Sequence, residues 1–119
     1  MEIEQLDVEA ALGGLKDFQR RTGDYVFRRM YVDNPAATRF LVADEVGLGK
    51  TLVAKGIIAK AVEQLRKRGV KRIDILYVCS NASIALQNLN KLNITDEPTN
   101  SFATRLTLLR ARCEIHYTR

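Results

Sequence analysis

The sequence has few of the residues that build metal sites and covalent cross-links. Its 119 residues include 2 cysteines, 1 histidine and 2 prolines, and it has no low-complexity tract. Cys79, Cys113 and His116 are too few for the four ligands of a structural zinc site, and they indicate no secreted disulfide framework. Cys79 ends an apolar run and is expected to be a small buried hydrophobe. The sequence therefore predicts neither structural zinc nor a disulfide scaffold.

Targeting signals and long apolar runs are also absent. The opening stretch MEIEQLDVEA is acidic and lacks the basic start and apolar centre of a signal peptide. No apolar run approaches the roughly 18 residues that are needed to cross a membrane. A cytoplasmic protein without membrane contact is therefore expected.

The composition is that of one small globular domain. Hydrophobic residues make up 46% and charged residues 28% of the chain, so a core can form, although the length is near the lower end for a sheet covered on both faces. The net charge of +5 is compatible with polyphosphate or nucleic-acid partners. Basic residues concentrate at 16–29 and at Arg66–Arg72, and solvated helix ends would explain them equally well.

Apolar periodicity predicts alternating helices and strands. Helices are expected within 2–12, from Leu15 to Tyr31, from the end of the glycine loop at 49 to near Gly69, and over 84–92. Strands are expected at 39–43 and at 73–79. The pattern of Leu106, Leu108 and Leu109 fits either a strand or a helix, and a strand within 103–110 is the preferred interpretation.

The order of the central elements predicts an α/β fold. A strand, a loop, a helix and a second strand follow one another between Arg39 and Cys79. This order is typical of a βαβ unit with parallel strands and a right-handed crossover. Flanking helices would cover the parallel strands, and two N-terminal helices would precede them.

The stretch ADEVGLGKT, residues 43–51, has the pattern of a phosphate-binding loop. The consensus is G-x-x-x-x-G-K-[ST], and Asp44 stands where the first glycine is expected. Gly47 and Gly49 permit left-handed dihedrals and put no side chain between backbone and phosphate. Backbone N–H groups at the start of a helix attract anions. The alternative is a glycine-rich turn that binds nothing.

Two further residues of this loop carry specific expectations. Lys50 is expected to bind the β- and γ-phosphates, and the hydroxyl of Thr51 to ligate Mg²⁺. Val46 and Leu48 would line the same nucleotide cradle.

The form DEVGLGKT, with aspartate in place of the first glycine, resembles superfamily 2 helicases, in the branch of chromatin remodellers and bacterial RNA-polymerase-recycling ATPases. The resemblance implies a RecA-like P-loop NTPase lobe, ATP and Mg²⁺ as cofactors, and DNA or RNA as a partner. LKDFQ, Leu15–Gln19, resembles the upstream adenine-recognition motif, in which Gln19 would read the adenine edge.

The stretch LYVCSNASIALQNLNKL, residues 76–92, is similar to motif Ia of the same family. The resemblance implies that Ser80, Asn81 and Ala82 contact the nucleic-acid backbone. The family commonly has proline where Ser80 stands, so the sequence departs from the pattern at this position.

The second carboxylate motif that such an ATPase needs for hydrolysis is missing. The Asp-Glu pairs are Asp44-Glu45, inside the loop, and Asp96-Glu97, and neither ends an apolar strand. The coupling motifs and second lobe would lie beyond Arg119. We therefore expect no catalytic residue, and ATP binding with negligible hydrolysis.

The expected organisation is a single, incomplete helicase ATP-binding domain over 1–119. N-terminal helices with the adenine motif occupy 1–34, the ATP-binding unit 38–93, and a tail 94–119. Unpaired strand edges would allow self-association or completion by a partner chain.

Three functions are consistent with these motifs. The first is the N-terminal part of the first motor lobe of a nucleic-acid-dependent helicase or translocase. The second is a non-catalytic nucleotide-binding or regulatory fragment. The third is another P-loop enzyme, such as a small kinase, although such enzymes usually keep the first glycine.

Overall fold

The computed structural model describes residues 8–45, 47–94 and 107–109. Its helices are α1 (Val8–Gly13), α2 (Asp17–Phe27), a π-helical segment (Arg28–Val32), α3 (Lys50–Lys67) and α4 (Ala82–Leu92). Its strands are β1 (Ile75–Tyr77) and β2 (Thr107–Leu109).

The predicted helices are confirmed where they fall on described residues. The helix expected within 2–12 is present from Val8, and residues 1–7 lie outside the described part of the chain. The second continues through the π-helical segment and ends at Val32, ahead of Asn34-Pro35. α3 and α4 occupy the two remaining predicted regions.

The predicted α/β fold class, a RecA-like lobe with parallel strands, is wrong. The described residues are mostly helical, and they contain no parallel strand pair. β1 pairs with β2 in antiparallel register, with Ile75 opposite Leu109 and Tyr77 opposite Thr107. The strands expected within 73–79 and 103–110 therefore form, but they pair with each other and not around a crossover helix.

The strand predicted at Arg39–Ala43 does not form. This segment has no regular structure, Leu41 is 82% exposed, and Phe40 packs edge-on against the ring of Tyr25 with centroids 5.8 Å apart. A strand requires a neighbour that accepts and donates its backbone hydrogen bonds, and the described residues offer this segment none. The apolar run at 39–43 indicated a segment that would be buried, but it did not indicate which strand would pair with it.

α3 is the central element of the structure. Val53, Ala59 and Val62 are almost fully buried on it. α1 and α2 pack on α3 from one side. On another face, Val62 packs with Ile73, and Ile58 packs against the pair Leu89 and Leu92. Some of the periodic apolar residues of α3 thus pack against α1 and α2, and others pack against α4 and the residues around β1.

α2 and α3 lie side by side and run in the same direction. Contacts between the two helices and their flanking residues follow the same order along both, from one end of the pair to the other. These contacts join Gln19 to Leu48, Asp24 to Lys60, and Tyr31 to Arg68. Gly23 is buried on the face of α2 that packs on α3, where an added Cβ would lie 3.9 Å from Ile57.

The end of α3 follows from one glycine. Gly69 has φ +81°, and its N–H donates to the carbonyl of Arg66 at 2.8 Å, while the N–H of Val70 donates to Leu65 at 3.0 Å. These two bonds form a Schellman motif, which satisfies carbonyls that a helix end leaves without partners. The predicted end near Gly69 is confirmed.

Candidate phosphate-binding loop

The loop before α3 contains two glycines in left-handed conformation. Gly47 has φ +87° and Gly49 has φ +78°, and Gly49 is the residue that caps the N-terminus of α3. Residues with a Cβ rarely adopt these angles. Both glycines therefore have the conformation for which the motif requires them. Val46, also predicted to line the cradle, lies outside the described residues.

The first turn of α3 presents N–H groups toward the space in front of the helix. The N–H groups of Leu52 and Val53 donate to the carbonyl of Gly49, at 2.9 and 3.2 Å. Lys50 and Thr51 precede them as the first helical residues, and N–H groups at such positions have no acceptor within their own helix. The helix dipole adds partial positive charge at the same point. An anion is the group that this arrangement favours.

The ammonium group of Lys50 folds back over the loop. Its Nζ donates to the carbonyl oxygen of Asp44 at 2.7 Å and to that of Glu45 at 3.1 Å. The residue is exposed, so its charge stands at the mouth of the loop. A phosphate could replace these neutral carbonyls as the acceptor, and the new hydrogen bonds would be charge-assisted on both sides.

Gln19 is buried against the loop. Only 4% of its surface is exposed. Its Nε2 donates to the carbonyl of Leu48 at 2.8 Å, and its Oε1 accepts from the backbone N–H of Lys16 at 2.8 Å. The side chain therefore links the start of α2 to the loop. Both ends of the amide are occupied by backbone groups.

Gln19 also restricts the residue at position 49. A Cβ added to Gly49 would collide with Nε2 of Gln19. A Cβ added to Gly47 would meet open space. Gly49 is thus favoured by its dihedral angles, and a side chain there would also displace the amide of Gln19, whereas Gly47 is favoured by its dihedral angles alone.

Thr51 is half-buried in the first turn of α3. The part of the chain that the structure describes holds no cluster of three or more His, Cys, Asp or Glu side chains. In P-loop proteins Mg²⁺ is held by one hydroxyl, phosphate oxygens and water, with a carboxylate acting through water. The donor set therefore fits Mg²⁺ only together with a bound nucleotide, through Thr51.

An apolar cavity of about 250 Å³ lies beside the loop. Lys50 and Thr51 stand at its edge, and β1 forms one wall. The rest of the lining comes from Ala54, Ile58 and Leu92. Because the lining is mostly apolar, this cavity does not favour phosphate groups.

Tyr77, which was not singled out from the sequence, has a specific partner at this cavity. Its phenolic oxygen accepts a hydrogen bond of 2.8 Å from Nδ2 of Asn88 on α4. Burial raises the pKa of Tyr77 above its ordinary value of 10.0, although the bond from Asn88 opposes the shift. The alternation of side chains along a strand places Tyr77 and Ile75 on the same face. This two-residue periodicity is the sequence feature from which the position of Tyr77 at the cavity could have been predicted.

The loop between β1 and α4 is on the surface. Ser80, Asn81 and Ala82 are all exposed. The side-chain oxygen of Asn81 accepts from the N–H groups of Ser83 at 3.0 Å and Ile84 at 3.2 Å. Asn81 is therefore the N-cap of α4, which begins at Ala82, two residues before the helix predicted over 84–92.

The structure thus separates the predicted residues into two groups. Gln19, Leu48, Gly49 and Lys50 form one site at the start of α3, with Thr51 adjacent. Residues 80–82 occupy a different loop, after β1. Comparison with protein-family models, with curated proteins and with solved structures finds no match for this chain. Across the described residues, none of the helices combines the length and apolar character that crossing a membrane requires.

Proposed function

We propose that the loop Asp44–Thr51 binds the phosphates of ATP together with Mg²⁺. The observation that carries the proposal is the pair of left-handed glycines, Gly47 and Gly49, leading directly into the first turn of α3. The ammonium of Lys50, held by loop carbonyls at the same place, supports it.

Each residue of the loop has a role in this proposal. The N–H groups of residues 46–51 surround the phosphates, Lys50 exchanges its carbonyl acceptors for phosphate oxygens, and Thr51 ligates Mg²⁺. Bound Mg²⁺ would neutralise phosphate charge. Gln19 shapes the loop through Leu48, and it reads the adenine edge when its amide exchanges that carbonyl for the base.

The wider function that we propose is the ATP-binding N-terminal part of a nucleic-acid-dependent helicase or translocase ATPase, located in the cytoplasm. It is supported by the spacing of LKDFQ and DEVGLGKT and by the contact between Gln19 and the loop. Ser80 and Ala82 would contact the nucleic-acid backbone, with Asn81 forming the helix cap beside them. Since Asp44 and Glu45 belong to the loop itself and Asp96-Glu97 follows no apolar run, hydrolysis by this chain would be negligible.

A second candidate is a nucleotide-binding module without catalysis that a partner chain completes. The antiparallel pairing of β1 with β2 favours it, because a motor lobe builds its ATP site on parallel strands. Both candidates predict negligible turnover, so the measurement that separates them is binding of DNA or RNA, which the first candidate expects to weaken when Ser80 and Ala82 are changed.

The test is ATP binding by calorimetry, with and without Mg²⁺. We expect Mg²⁺ to strengthen binding and Lys50→Ala to weaken it by about tenfold or more, since a charge-assisted bond contributes about 1.5–3 kcal/mol. Lys55→Ala, one turn further along α3, is the matched control and should bind normally. Equal binding by the wild type and Lys50→Ala would refute the proposed loop function.

Phosphate release from Mg²⁺-ATP is measured on the same proteins, with and without DNA or RNA. We expect release near background in every case. Robust turnover that depends on Lys50 would contradict negligible hydrolysis while leaving the binding proposal intact.

A further inference from the structure

Basic side chains gather at the end of the molecule opposite the loop. Two belong to the π-helical segment, Arg28 and Arg29, and five lie in the stretch Arg66–Arg72 at and after the C-terminus of α3. We call these two groups together the basic end. It contains none of the nucleotide-binding or nucleic-acid-binding motifs described above.

The two groups are far apart in sequence but adjacent in space. Because α2 and α3 run in the same direction, their C-terminal ends coincide. The guanidinium of Arg68 donates to the carbonyl oxygen of Tyr31 at 2.8 Å. This bond joins the turn after α3 to the π-helical segment, so the basic end is one continuous surface.

The acids within the basic end do not balance its charge. Asp33 pairs with Arg28 at 3.7 Å and Arg29 at 3.1 Å, Glu63 pairs with Lys67 at 2.8 Å, and Asp74 with Arg72 at 3.0 Å. The cations outnumber these acids by more than two to one. Every cation of these pairs is at least 43% exposed, so the pairs are weak and exchange readily with a polyanion.

Helix stabilisation accounts for only part of this cluster. Cations in the last turn of a helix interact favourably with its dipole, which explains Arg66 and Lys67. The effect falls off within one turn. Lys71 and Arg72 follow Gly69, beyond the end of α3, where the helix dipole gives no reason for them.

We propose that the basic end binds the phosphate backbone of a nucleic-acid duplex without sequence specificity. Single strands bind through aromatic platforms, but here the rings of Phe27 and Tyr31 stack on each other with centroids 5.5 Å apart. Membrane-surface helices expose Trp, Phe or Leu beside their cations. Among the described residues of the basic end, the exposed large apolar side chains are Val32 and Val70.

This surface does not require the loop to bind ATP. It is also separate from residues 80–82. The two proposals therefore succeed or fail independently.

The test is the binding of a fluorescein-labelled DNA duplex, followed by anisotropy over a range of salt concentrations. The basic-end variant replaces Lys67, Lys71 and Arg72 by alanine. The control variant replaces Arg21, Lys55 and Lys91, which lie elsewhere, and changes the net charge equally. Circular dichroism checks that both variants fold, and ATP binding is measured on both.

We expect the basic-end variant to bind the duplex about tenfold or more weakly at low salt, with the slope of log K against log salt reduced by about three. The control variant should lose much less affinity for the duplex, and the affinity for ATP should be unchanged in both variants. Equal losses in the two variants, or no duplex binding by the wild type, would overturn the proposal. So would tighter binding to phosphatidylserine vesicles or oligothymidylate than to the duplex.

Discussion

The side-chain amide of Gln19 donates a 2.8 Å hydrogen bond to the carbonyl oxygen of Leu48, 29 residues further along the chain. This contact joins the motif LKDFQ to the loop DEVGLGKT. It explains why a glutamine is buried beside a glycine loop, and it makes the shape of the loop depend on α2. The first two predictions follow from it.

Gln19→Ala should destabilise the protein. It removes two hydrogen bonds and leaves the carbonyl of Leu48 and the N–H of Lys16 without their partner, at a cost of about 1–3 kcal/mol. Urea unfolding measures the change in the free energy of unfolding. Gln87→Ala, at an exposed position of α4, is the control and should change this energy little. A Gln19 variant as stable as the control would show that the contact contributes nothing.

Gly49→Ala should cost more stability than Gly69→Ala. Both glycines have positive φ, which costs alanine about 1–2 kcal/mol, but only at Gly49 would the new methyl group collide with Gln19. The double variant of Gly49→Ala with Gln19→Ala removes the collision. Its cost should therefore be less than the sum of the two single changes. Strict additivity would exclude the steric coupling.

Asn81→Ala should weaken α4 by about 1 kcal/mol, because it removes the acceptor for two N–H groups at the start of the helix. Asn81→Asp keeps an acceptor oxygen and should retain most of the stability. Asn90→Ala, exposed within α4, is the matched control. If thermal unfolding of Asn81→Ala and Asn90→Ala coincides, the capping role is wrong.

Tyr77→Phe should lower the free energy of unfolding by about 1 kcal/mol near neutral pH, since Asn88 loses its acceptor. Tyr25→Phe, at a more exposed position, should have a smaller effect.

The same variant should change the response to alkaline pH. The pKa of Tyr77 is raised in the folded state, so the folded protein retains this proton more strongly than the unfolded chain. The stabilisation is complete below pH 10.0 and is lost as the pH rises through the raised value. Denaturant unfolding below and above this pH should show a smaller alkaline loss for Tyr77→Phe than for Tyr25→Phe, and identical losses would contradict it.

Local signals in the sequence predicted the helices well. The four-residue spacing of Val53, Ile57, Ala61 and Leu65 identified α3, and Gly69 marked its end, because helix periodicity and a left-handed glycine are properties of adjacent residues. The parallel sheet was wrong for the opposite reason. The strand that pairs with Ile75–Tyr77 lies 30 to 34 positions further along the chain, and periodicity carries no information on that partner.

The candidate site was predicted in part for similar reasons. The glycine conformations at positions 47 and 49 follow from the motif itself. Other features of the site depend on three-dimensional contacts that residue spacing does not encode. Lys50 donates hydrogen bonds to carbonyls of its own loop, and both ends of the Gln19 amide bond to backbone groups.

The parallel packing of α2 and α3 has a mechanical consequence. α3 contains 18 residues, so at 1.5 Å per residue it is a rod of about 27 Å between the loop and the basic end. A nucleotide at one end and a duplex at the other would not compete for space. An effect of one ligand on the binding of the other would have to be transmitted along α3, or by a shift of α2 relative to α3.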